Sequence, residues 1–170
     1  QFTSATSTQG NGIVKTLYRS NSDFDAIRQA AGFRQVEFMQ GTNADPNSNG
    51  EIVDVVRTTE RKDAEKWLVD DAATGKKIGY LKKYTEEVTQ KSNAGSELVI
   101  DLKTSVLREN IKYNTRSQIW YYKDTITSDA TPGLTTTLHF GARYDKDQDS
   151  IVEIAPTYGP GGRVIEYDEY

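Results

Sequence analysis

Residues Ser96–Thr127, SELVIDLKTSVLRENIKYNTRSQIWYYKDTIT, form the longest run of β-compatible residues in the chain. Leu98, Ile100 and Leu102 alternate with Val99, Asp101 and Lys103, the two-residue period of a half-buried strand. Beyond Thr104 the apolar residues change phase: Leu107, Ile111 and Tyr113 occupy odd positions. Asn114–Ser117 (NTRS) is a turn cluster, and Ile119–Tyr122 resumes the alternation. The stretch therefore reads as three strands in series. A phase change sends every later side chain to the other face, so the pattern predicts a bulge or tight turn at Thr104–Val106.

Working outward toward the C-terminus, Ser128–Gly133 is a turn, and Leu134–Arg143 alternates as a strand. Tyr144–Ser150 is a loop, Ile151–Ala155 a strand, Pro156–Gly162 a break and Arg163–Tyr167 a last short strand. Toward the N-terminus, Ala64–Asp71 and Lys76–Val88 form a hairpin in which Gly75 supplies a positive φ. Glu60–Asp63 (ERKD) reads as a charged turn after the strand Glu51–Thr59. Phe33–Gln40 and Ile13–Arg19 read as further strands. Between these two, Ser22-Asp23-Phe24-Asp25 resembles a helix start, with Ser22 as the cap and acidic residues at the positive end of the dipole. Ala26–Ala31 continues this predicted helix, and Gly32 suits its C-terminal cap.

The fold class is therefore all-β: an antiparallel sandwich or barrel of about ten strands with one short helix. Two segments are expected, an extended N-terminal arm over residues 1–12 and a single antiparallel β domain over 13–170. The arm, beginning QFTSATSTQGN, is polar and rich in Ser, Thr and Gly. A segment with so little to bury becomes ordered only by docking, on its own domain or on a neighbouring subunit.

Composition narrows the function. The chain has 170 residues, 35% hydrophobic and 27% charged, and a formal net charge of -4 with both signs mixed along it. No basic stripe marks a nucleic-acid groove. No apolar run is long enough for a membrane-inserted helix. There is no cysteine, which excludes disulfides, thiolate metal sites and Cys nucleophiles. There is a single histidine, His139, so one chain cannot supply a His-rich zinc site.

Four groups of residues are candidates for a site. Asp145, Asp147 and Asp149, with Glu153 beyond them, place carboxylates at alternate positions of a loop. Such oxygen-only sets suit calcium, although Ser150 stands where an EF-hand has glycine. Asp45–Gly50 (DPNSNG) is a weaker set of the same type. His139 and Arg143 fall on one face of a predicted strand, where a base and a carboxylate-neutralising group would be needed. The aromatics Trp67, Tyr80, Tyr84, Tyr113, Trp120, Tyr121, Tyr122 and Phe140 suit a core, a cavity or an interface. Trp120, Tyr121 and Tyr122 are consecutive, so at least one ring is expected to face outward.

No catalytic constellation emerges from these sets. The expected role is a non-enzymatic structural or assembly protein, a virion component or an extracellular surface or filament subunit. Its partners would be copies of itself or other structural subunits, reached through the N-terminal arm and exposed aromatics. The alternative is a β-barrel or sandwich that binds an apolar molecule or a glycan. No cofactor is implied apart from the possible calcium.

Overall fold

The computed structural model describes all residues except 1, 11, 43–51, 71–74 and 161–162. The chain is antiparallel and all-β. Strands β1 (Phe2–Gly10), β2 (Ile13–Phe24), β3 (Ala30–Thr42), β4 (Ile52–Asp70), β5 (Lys77–Ser92), β6 (Asp101–Tyr113), β7 (Ile119–Ser128) and β8 (Thr135–Phe140) form one 8-stranded sheet in sequence order. This is a pure meander: each strand hydrogen-bonds to its neighbours in the chain. β9 (Ala142–Asp145) pairs with β10 (Ser150–Glu153), and β11 (Thr157–Tyr158) pairs with β12 (Val164–Glu166). Gly75, expected at positive φ, has φ 65.

The N-terminal residues belong to the sheet. Phe2–Gly10 pair with Asn21–Ile13 without a register break, so β1 docks on its own domain as an edge strand. Gly10 lies opposite Ile13, which leaves a two-residue connection, and Gly12 has φ 75. The Asn11-Gly12 dipeptide is the sequence signal for this hairpin.

The predicted helix at Ser22–Gly32 does not form. β2 runs through Phe24 and β3 starts at Ala30, with Phe24 opposite Ala30. Asp25 does accept backbone N–H bonds, as an N-cap would, but from Ile27 (3.1 Å) and Gln29 (2.7 Å) across a tight turn. Arg28 sits at φ 62 to close that turn. A helix this short is marginal on its own. Extending two strand ladders satisfies the same backbone groups and adds the contacts of the sheet.

The central stretch forms two strands, not three. Leu98–Ile100 lies in the loop before β6, and Val99 is 86% exposed. No irregularity occurs at Thr104–Val106, because β6 pairs there in register with both β5 and β7. The phase change is real but lies later, between Glu109 and Lys112, where Asn110 has φ 57. Alternation alone misplaces it, because Arg108 counts as polar there whereas its guanidinium is packed inside. For the same reason ERKD is no turn. β4 continues through it and absorbs a bulge between Lys62 and Lys66, with Asp63 at φ 54.

One row of side chains explains both displacements. Arg19 lies 4.2 Å from the Phe33 ring centroid, and Arg61 lies 5.0 Å from Phe33 and 4.0 Å from Tyr84. Arg108 lies 5.7 Å from Tyr84 and 3.6 Å from Tyr122. Tyr122 stacks on Phe140 at 4.8 Å, and Phe140 meets Tyr167 at 5.0 Å. A ladder of cations and rings therefore crosses the sheet from β2 to β8 and on to the C-terminal segment. Cation–π contacts contribute about 0.5–1 kcal/mol each when exposed and about 2 when desolvated. The apolar core sits beside this row: Ala31, Leu81, Tyr84 and Ile111, with Tyr113, Ile119 and Tyr122 against them. The bulge at Asn110 turns Ile111 and Tyr113 onto the face that Arg108 occupies.

Candidate functional site

The acidic loop between β9 and β10 spends its carboxylates separately. Asp145 Oδ1 accepts the N–H of Asp147 (2.9 Å) and of Gln148 (3.4 Å), which closes the turn. Asp149 accepts the Tyr144 hydroxyl, a bond that pushes the tyrosine pKa up. Glu153 holds Lys112 through both oxygens at 2.7 Å. Asp147 is exposed. Among the described residues no three His, Cys, Asp or Glu side chains are grouped to hold a metal ion. The second acidic loop, Asp45–Gly50, lies outside the described residues.

His139 and Arg143 do not share a strand. Gly141 (φ 72) follows the last residue of β8, and a Cβ there would run into the Trp120 carbonyl. Arg143 follows on β9 and is exposed. His139 Nδ1 instead meets the Tyr121 hydroxyl at 3.0 Å. Burial, with a smaller push from Lys123, holds the imidazole below its ordinary pKa. Burial raises the Tyr121 hydroxyl. These shifts favour a neutral pair.

The aromatic triplet is covered on both sides. Tyr121 is buried, and Trp120 and Tyr122 are half-buried, so none of the three projects freely. Arg108 covers Tyr122, and Lys112 lies 5.0 Å from the Tyr121 ring. Among the described residues the exposed aromatics are elsewhere: Tyr18, Phe24, Trp67, Tyr144, Tyr167 and Tyr170. Trp67, Leu68 and Val69 are all exposed at the far end of β4.

Beside Trp67 an open groove of about 460 Å³ is lined by Trp67, Tyr80, Ile111 and Tyr113 among others. Two of its hydroxyls are already engaged. The Tyr80 hydroxyl meets Ser117 Oγ at 2.9 Å, and Tyr113 donates to the Leu81 carbonyl at 3.0 Å. Burial, then the nearby Asp25, keeps the Tyr113 hydroxyl protonated well past its ordinary pKa.

The two ends of the sheet differ from everything between them. β2 to β7 each carry at least two Asp, Glu, Lys or Arg residues, and β1 and β8 carry none. Edge strands are normally protected by charge, proline or bulges, because their unpaired N–H and C=O groups invite another strand. On β8, Phe140, Leu138 and Thr136 lie opposite Tyr122, Asp124 and Ile126 of β7. His139 and Gly141 bond outward: the His139 N–H donates to the Tyr170 carbonyl (2.7 Å), and the Tyr170 N–H donates to the His139 carbonyl (3.1 Å). The Gly141 N–H donates to the Asp168 carbonyl at 2.9 Å. Alternation then turns the backbone groups of Thr135 and Thr137 to the same outer side. Among the described residues the C-terminal segment bonds this edge only at His139 and Gly141.

No family model, curated protein or solved structure matches the chain.

Proposed function

We propose that the chain is a non-enzymatic structural subunit that associates with copies of itself or with other structural subunits. The observation that supports this reading most is surface. The chain exposes 11026 Å². A compact monomer of this size exposes about 8,400 Å². The excess, roughly 2,600 Å², equals what several protein contacts of ordinary size would cover at about 800 Å² each. The buried apolar set is correspondingly small, with Leu81 and Val55 its largest fully buried side chains. Unprotected strand edges and the exposed aromatics supply surfaces for such contacts.

Sedimentation velocity across a wide concentration range tests the reading. Concentration-dependent association is the expected result. A strict monomer at every concentration, with no partner subunit retained, would remove the proposal.

The groove at Trp67 and Tyr80 favours a second reading, in which the chain binds an apolar molecule or a glycan there. Titration of tryptophan fluorescence with hydrophobic probes and oligosaccharides distinguishes it. Loss of any response in Trp67→Ala is the expected signature of that site.

A further inference from the structure

We infer that the outer edge of β8 is an acceptor for β1 of a second copy, and that the C-terminal segment Asp168–Tyr170 is a plug that must leave to admit it. The inference rests on the assembly reading and names its partner and its control.

Four observations carry it. First, the two strands at opposite ends of one sheet are the two that lack charged residues, so neither repels an incoming strand. β1 (FTSATSTQG) and β8 (TTTLHF) are both rich in Thr or Ser. Second, the 8-stranded sheet is antiparallel throughout with an even number of strands. β1 and β8 therefore run in opposite directions, and a second copy's β1 laid beside β8 continues the antiparallel pattern unbroken. Third, β8 already accepts an added segment. Tyr170 exchanges two backbone bonds with His139, and Phe140 bridges Glu169 in antiparallel sense. Fourth, among the described residues no backbone bond from another segment reaches the outward groups of Thr135 and Thr137, and β1, with nine residues, can span them together with His139.

The exchange replaces a few backbone bonds by a full ladder, the energetics of β-augmentation. Neighbouring strands rotate by about 20–25°, so each copy turns the ribbon by about half a turn. A head-to-tail contact of that kind does not close, and it grows as a helical filament.

Tyr170→Pro removes the N–H donated to His139 and loosens the plug. Thr137→Lys places a charge on the acceptor edge. On this inference Tyr170→Pro self-associates at a concentration at least tenfold lower than the wild-type chain, by sedimentation velocity. Thr137→Lys combined with Tyr170→Pro returns it to monomer, with unchanged far-ultraviolet circular dichroism. The chain has no cysteine, so contact is read directly by single cysteines. Thr137→Cys mixed with Ser4→Cys or Ala5→Cys is expected to form mixed disulfides between copies. Association insensitive to both variants, or cysteine pairing only of β1 with β1, would overturn the inference while leaving the assembly reading intact. Monomer in every variant, including Tyr170→Pro, would overturn both.

Discussion

Strand β4 carries Arg61 between the rings of Phe33 and Tyr84, whereas β1 and β8 carry no Asp, Glu, Lys or Arg at all. In the middle of the sheet, charge is structural. Arg61 also donates to the Ala30 carbonyl (2.8 Å) and pairs with Glu86 at 3.0 Å. Arg108 grips both oxygens of Asp124 at 2.8 and 2.7 Å. Burial works against the Arg108 charge, yet Asp124 and the flanking tyrosines hold its pKa above the ordinary guanidinium value. At the ends of the sheet, charge would instead act as a guard against other strands, and it is missing. The difference teaches that charge on a strand has two separate uses. A central guanidinium glues neighbouring strands, and an edge charge keeps strangers away.

The comparison breaks most visibly at Arg108. Arg108→Ala strands the Asp124 carboxylate, whose side chain is only 8% exposed. The expected loss is about 3–4 kcal/mol in urea denaturation. Replacing both partners, Arg108→Met with Asp124→Leu, is expected to restore most of it, because the apolar pair leaves no orphaned charge. A smaller loss, about 2 kcal/mol or more, is expected for Gly141→Ala, which forces a Cβ against the Trp120 carbonyl at a positive φ. That variant tests how firmly the end of β8 is tied to β7.

At the edge itself, Thr135→Lys is expected to change monomer stability by no more than about 0.5 kcal/mol. A loss as large as that of Arg108→Ala would erase the distinction between centre and edge. The smallest effect is the titration of His139, the one ionisable side chain on β8. Its folded pKa lies below the ordinary value of 6.5, so the neutral form is favoured by folding. That contribution is complete above the ordinary value and is lost as pH falls through the folded pKa. An NMR titration midpoint below 6.5 is expected, and Tyr121→Phe should move it by removing the hydroxyl at Nδ1.

Much of the fold was legible because hairpin punctuation and two-residue alternation are local. The turns at Asn114–Ser117 and Ser128–Gly133, the pairing of β4 with β5 on either side of Gly75 and the positive φ of Gly75 stand where the residues put them. Errors arose where a local signal had two outcomes. Asp25 satisfies the same N–H groups in a hairpin turn as in a helix cap, and only the ladders of β2 and β3 decide between them. Arg61 and Arg108 look like solvent residues until the rings beside them are known. The candidate site was less legible, since an edge is defined by topology. The absence of charge in β1 and β8 can be counted in the sequence, but it acquires meaning only when both prove to be the outermost strands.

What the residues determined alone was the strand-and-turn grammar: β-branched and aromatic runs, polar breaks, and glycines where the backbone must turn left-handed. Those preferences act within a few residues and need no partner. The long-range row from Arg19 to Tyr167, the place of the phase change at Asn110 and the identity of the two edges were settled by the tertiary structure. Each depends on which strands become neighbours, and a side chain's energy in a sheet is set by the groups across from it.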